Sequence, residues 1–187
     1  PSNMLRQFRI TIQAIIFVLI LVTTNIFHVP ISMASTTASE QSLIAAFLFN
    51  FLKFTEWPDG IVTGELKLCI TEGQIFKELD TISGRLIQSK RVIIQRVNFR
   101  GFQSDCQLLY LSREENIDQI HQWLKITDHK PILIVSNVNE FLDMGGMIIL
   151  INNGKTLSFE IDLERIKHAG LKLNAQLLQI ARDVRGR

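Results

Sequence analysis

Three of the four histidines, two cysteines and a few neighbouring carboxylates are the residues whose types could do chemistry in this chain of 187 residues. His121, His129 and His168 each stand alone, outside the H-x-x-x-H spacing that sets two imidazoles on one helix face for a metal ion. Glu114-Glu115 and the Asp162, Glu164 pair fall where helices should start, and there carboxylates favour the helix dipole. The segment Cys69-Ile70-Thr71-Glu72-Gly73 carries one glycine, too few for a dinucleotide cradle. No G-x-S-x-G elbow and no C-x-x-C pair occurs. No catalytic centre, metal site or cofactor is expected. The sequence points to a protein that works by binding another protein, not to an enzyme.

The two cysteines, Cys69 and Cys106, take their meaning from compartment. Arg6 and Arg9 precede an apolar run from Ile10 to Val22, and Ser32-Met33-Ala34 offers small residues around a cleavage point. That order predicts a secretory signal peptide over residues 1–34, cut after Ala34, with export to the periplasm. An uncleaved anchor from Ile10 to Val29 is the alternative. In an oxidising compartment the cysteines have one intramolecular pairing, worth roughly 3–4 kcal/mol for so long a loop. Inside a cell they would be two small buried hydrophobes.

Arg6 and Arg9 also account for the whole net charge of +2. Without them the chain is neutral and lacks the basic footprint of a nucleic-acid binder.

The elements that must position these residues form one domain over 42–187, after a polar linker at 35–41. Leu43, Ala46, Phe47, Asn50, Phe51 and Phe54 recur at helical spacing, and Trp57-Pro58-Asp59-Gly60 stops that helix. Strands are expected at Leu66–Ile70, Arg91–Val97, Cys106–Leu111 and Pro131–Val135. Short helices are expected over Thr71–Leu79 and Ser136–Met144, with a longer one capped by Ser112 that runs to Leu124 and turns Ile117, Ile120, His121 and Leu124 inward. Gly145-Gly146 should make a tight return. Met147–Ile151 and Thr156–Ile161 flank Asn152-Asn153-Gly154, the chemistry of a β-hairpin. Asp162 should cap a helix to His168, and Asn174 should start the last one. The expected fold is a three-layer α/β/α sandwich with a mixed, mainly parallel sheet and a C-terminal β-hairpin plus helices.

Two features could face a partner. The Phe-rich helix is apolar on nearly every side, more than one sheet face covers. In Leu157–Asp162, alternation sets Ser158, Glu160 and Asp162 opposite Leu157, Phe159 and Ile161. The expected partner or dimer surface therefore comprises Phe47, Phe51, Phe54, Trp57, Glu160, Ile166 and His168. A rival reading places a small ligand at the carboxyl ends of the parallel strands, beside Glu72, Ser112 and Ser136.

The run Ala45-Ala46-Phe47-Leu48-Phe49-Asn50-Phe51-Leu52-Lys53-Phe54-Thr55-Glu56-Trp57-Pro58 resembles the opening signature of the YfiR-like periplasmic proteins. Gly145-Gly146-Met147-Ile148 is similar to their central motif. Phe159-Glu160-Ile161-Asp162, with Ala169-Gly170-Leu171-Lys172-Leu173 and Leu177-Leu178, is similar to their closing one. The resemblance covers residues 42 to 184. It implies a non-catalytic, dimeric periplasmic repressor that binds the periplasmic sensor domain of an inner-membrane diguanylate cyclase and limits cyclic di-GMP synthesis and biofilm formation. An outer-membrane lipoprotein can sequester such a repressor. Cys69 and Cys106 match the family's structural disulfide. Asn137, Asp162 and Asn174 depart from its usual residues, and a further cysteine pair near the Gly-Gly turn is absent. A different membrane receptor, such as a histidine kinase, is the alternative partner that the breadth of the family leaves open.

Overall fold

The computed structural model describes residues 34–187 except Glu72, Gln74, Lys155 and Arg187, with side chains from Glu40 onward. The expected signal peptide and its anchor alternative lie outside the described residues, apart from Ala34. Two units divide the chain, Pro1–Ser35 and Thr36–Arg187, and the sheet belongs to the second. Among the described residues no helix is long and apolar enough to cross a membrane.

Helix α1 spans Ala34–Phe54. It takes in residues 35–41, where the sequence suggests a linker. Glu40 is tied down by Arg113, and the Ser42 hydroxyl donates to Glu78 at 2.9 Å. Past α1 the strands and helices alternate: β1 (Thr55–Glu56), β2 (Glu65–Ile70), α2 (Phe76–Leu79), β3 (Leu86–Ile87), β4 (Lys90–Arg96) and β5 (Leu108–Leu111) come first. Then follow α3 (Ile117–Thr127), β6 (Leu133–Ser136), β7 (Ile148–Asn152), β8 (Leu157–Asp162), α4 (Leu163–His168), β9 (Lys172–Leu173), α5 (Ala175–Ile180) and β10 (Asp183–Arg185).

Eight strands form one sheet in the order β10-β8-β7-β6-β5-β2-β4-β3. The pairs β4–β2, β2–β5, β5–β6 and β6–β7 are parallel, and β7–β8 and β3–β4 antiparallel, so the sheet is mixed and mainly parallel as expected. Its central strands are buried on both faces, which explains runs such as Leu108–Leu111 with no polar alternation. Register assigns the faces. Ile70, Tyr110, Val135, Ile148 and Ile161 are paired across five strands and share one face. Tyr110 and Ile44 border a common cavity, so this face carries α1. Cys69, Leu109 and Ile134 share the other face, and Ile134 borders a cleft with residues of α3 and α4. Three layers result.

The asparagine turn forms as expected: Asn152 Oδ1 accepts from Gly154 N and Asn153 Oδ1 from Thr156 N, both at 2.8 Å. Other expectations are corrected. The long helix starts at Ile117, capped by Asn116 with Gln119 in a reciprocal capping box; the Ser112 hydroxyl instead accepts from Glu114 N. Along it Ile120, Trp123 and Thr127 turn inward, while Ile117 and His121 are exposed. Residues 139–145 form turns in place of the expected helix over Ser136–Met144. Glu140 holds φ +60° there, and Ser136 Oγ both donates to Leu111 O and accepts from Val138 N, which ends the strand in a tight turn. The first short helix shrinks to Phe76–Leu79. Two pairings lack a sequence signal: the β3–β4 hairpin, which turns through Gln88 and Ser89 with positive φ and no glycine, and the edge strand β10.

Cys69 and Cys106 are disulfide-bonded, with Cα atoms 5.9 Å apart across a separation of 37 residues. The bond ties β2 to the approach of β5, and both cysteines are buried.

Candidate partner-binding surface

The Phe-rich helix spends most of its apolar surface inside the domain. Ile44, Ala45, Leu48, Phe51 and Leu52 are all buried. The Phe51 ring sits 5.1 Å from that of Phe159 and 5.9 Å from that of Phe47, and Phe47 meets Phe159 at 5.5 Å. Such tilted and edge-on pairs add to area burial. Phe51 is therefore an interior residue, not part of a partner surface, because Phe159 projects from β8 straight beneath the helix. Ile166 is corrected likewise. It is fully buried on the inner side of α4.

What α1 leaves open among its described side chains is a narrow strip: Ser42, Leu43, Ala46, Asn50 and Lys53, with Leu43 at 45% exposure. Phe47 and Phe54 are half-buried along its margins. Trp57, also half-buried, donates its indole N–H to Gln107 O at 3.2 Å near the start of β5.

The polar residues lie on the opposite side of the sheet. Glu160 is in register with Ile149, which is in register with Ser136, a row shared with Leu111 on the α3 and α4 face. Arg182 clasps the Glu160 carboxylate through both Nε and Nη2. Asp183 and Arg185 of β10 pair beside Glu160 and Asp162, and Arg185 Nη1 reaches Asp143 Oδ1 at 2.5 Å. That hydrogen bond raises the Arg185 pKa above its ordinary value.

His168 closes α4 and borders a cleft of about 550 Å³ that also takes His121, His129, Lys125, Asp128 and Arg165. The His129 and His168 rings lie 6.0 Å apart. Arg165 lies over the Gly145 turn, where an added Cβ would come within 3.2 Å of the guanidinium. Histidines that look isolated in sequence thus converge in space. Even so, no group of three His, Cys, Asp or Glu side chains placed to hold a metal ion occurs among the described residues.

The structure thus splits the expected surface in two. Phe47 and Phe54 flank a strip on one face, and Glu160 and His168 sit on the other. Sequence reasoning misses Arg182, which is 22 residues from its partner and carries no local signal. Of the rival ligand residues, Ser136 is fully buried and bonded within its turn, and Glu72 lies outside the described residues. Ser112 borders a cavity of about 270 Å³ between α1 and the loop after β5.

A family model described as YfiR/HmsC-like matches residues 41–182, most of the chain. No curated protein matches it.

Proposed function

The chain belongs to the YfiR/HmsC-like family, and on that premise we propose that it is a periplasmic negative regulator of diguanylate cyclase signalling. In this reading it binds the periplasmic sensor domain of an inner-membrane diguanylate cyclase and holds the enzyme in its low-activity state. Cyclic di-GMP synthesis and biofilm formation then fall without catalysis by the regulator itself. The observation that carries the reading is the family match across residues 41–182. The buried disulfide supports it, since such bonds persist in oxidising compartments.

A regulator of this kind acts only through a difference in affinity between two states of its target. The two faces suit two contacts. The Leu43 strip on α1 serves self-association to a homodimer. The Glu160, Arg182 and His168 face serves the membrane partner, and an outer-membrane lipoprotein that competes for this face would relieve repression.

Charge reversal tests the assignment without removing a buried group. Glu160→Arg with Arg182→Glu keeps an ion pair but inverts its polarity on the surface. With the folded variant exported in the host, cyclic di-GMP is expected to rise to the level of a strain lacking the gene. Full repression by the double variant would eliminate this face as the partner surface. Leu43→Asp is expected to shift the protein from dimer to monomer in size-exclusion chromatography.

A further inference from the structure

The neutral total of the domain conceals a segregation of charge. Between Asp80 and Asp105 the sequence has no acidic residue, while Arg85, Lys90, Arg91, Arg96 and Arg100 all fall there. The fold lays this stretch along one edge of the sheet, as β3, then β4, then a 3-10 turn over Phe99–Gly101. The four arginines are exposed and Lys90 is half-buried.

None of these five basic side chains has an ion-pair partner among the described residues. Arg85 lies over the Phe49 ring at 4.2 Å and Arg96 over the Phe76 ring at 4.6 Å, while Arg91 Nη1 donates to Gly84 O at 3.4 Å. Such contacts hold the side chains in place and cancel no charge. Glu65 of β2 stands in register with Arg91 yet makes no ion pair with it.

Two large apolar side chains are exposed in the same stretch, Leu86 at 63% and Phe99 at 42%. Leu86 is in register with Arg91, in the row that runs on through Ile93 on the sheet face that carries α3. The Phe99 ring meets Trp123 of α3 edge-on at 5.6 Å. Both apolar groups therefore lie on one side of the basic line.

Charge on an edge strand keeps it from pairing with other chains. That protection works with either sign and needs no exposed leucine, so it explains neither the uniform sign nor Leu86. The seven residues of β4 spread the basic groups over about 20 Å. A row that long does not converge on one small anion; it matches a surface that carries many anions side by side. Guanidinium forks suit phosphate oxygens. Apolar side chains beside them gain by entering the acyl boundary of a bilayer, whereas a hydrated soluble polyanion offers them nothing.

We propose that the β3–β4 edge binds the surface of an anionic phospholipid membrane, with its arginines on lipid phosphates and Leu86 and Phe99 in the interface. The Glu160 face lies at the opposite end of the same sheet, where β8 and β10 pair, so the membrane contact leaves it free. The proposal does not depend on the regulatory reading.

The test is co-sedimentation of the purified protein with vesicles of phosphatidylcholine alone or mixed with an equal part of phosphatidylglycerol. Binding should be at least tenfold tighter to the anionic vesicles. It should be lost at about 1 M salt, where the Debye length falls to about 3 Å. Each basic side chain near an anionic surface strengthens binding about fivefold, so Arg91→Gln with Arg100→Gln should weaken it at least tenfold. Lys167→Gln with Lys172→Gln removes the same charge from exposed sites elsewhere and should leave binding unchanged. Leu86→Asn should weaken binding severalfold at an unchanged melting temperature. Equal binding to both vesicles would overturn the proposal, as would an equal loss in the two double variants. Polyglutamate bound as tightly as anionic vesicles, with no effect of Leu86→Asn on either, would assign the edge to a soluble polyanion instead and overturn the lipid assignment.

Discussion

A Cβ added at Gly146 would stand 2.2 Å from Cδ1 and Cε1 of Phe141, whose ring is itself fully buried. The Gly-Gly turn is thus fixed by two different requirements. Gly145 needs a positive φ of 100°, and Gly146 needs the absence of a side chain. Gly146→Ala should cost about 2–3 kcal/mol in urea unfolding, as overpacking in a closed core does. Shrinking the ring in Gly146→Ala with Phe141→Leu should recover part of that loss. Two independent, additive costs would show that the contact does not set the turn.

The disulfide predicts a second stability change. Replacing Cys69 and Cys106 together by alanine should lower unfolding free energy by about 3–4 kcal/mol, since the bond closes a loop of 37-residue separation. Reductant should lower the parent's stability similarly and leave the double variant unchanged. Comparing urea midpoints with and without reductant reads this directly.

Core and surface residues of the helices should separate cleanly. Phe51→Ala is expected to cost about 3–5 kcal/mol, because the ring is fully buried against Phe47 and Phe159. Ile166→Ala should cost about 2–5 kcal/mol for the same reason. Leu43→Asp should change stability by no more than about 0.5 kcal/mol. Thermal melts of the three variants distinguish a folding defect from a lost partner.

Tyr110, the chain's one tyrosine, gives a pH prediction. Burial pushes its hydroxyl well above the ordinary phenol range; Arg113 pulls the other way, and Glu40 and Glu114 push with burial. Above about pH 10 the unfolded chain releases this proton while the folded chain keeps it. The unfolded state then holds fewer protons, so stability is full below pH 10 and declines as pH climbs beyond it. Phenolate absorbance should appear only with unfolding, and Tyr110→Phe should flatten the alkaline decline.

Capping offers a smaller, local check. Asn116→Ala removes the acceptor for Gln119 N and should cost about 1 kcal/mol. Ser112→Ala, at the position the sequence alone favours, leaves the cap of α3 intact. Circular dichroism melts should rank the two in that order.

Much of the architecture was legible because it is local. Alternation in Leu157–Asp162, the unbroken apolar run at Leu133–Val135 and the Asn152-Asn153-Gly154 turn each depend on neighbours along the chain. Strand period and turn chemistry decide these with little help from distant residues. The same holds for Asp162 and Asn174, whose side chains cap α4 and α5 as their positions suggest. The start of α3 was misplaced because Ser112 and Asn116 are both competent caps, and only the fit of Ile120, Trp123 and Thr127 into the core chooses between them.

Sequence by itself determined the alternation of strands and helices, the hairpin, the glycine turn and the resemblance to one family. Only the tertiary structure decided which sides of an apolar helix are covered, that Phe51 and Ile166 are interior, that Arg182 reaches Glu160, and that three scattered histidines share a cleft. The physical reason is that periodicity is written residue by residue along the backbone. Burial is instead a competition among several equally apolar faces, and it is settled only when a particular strand register brings a particular ring beneath the helix.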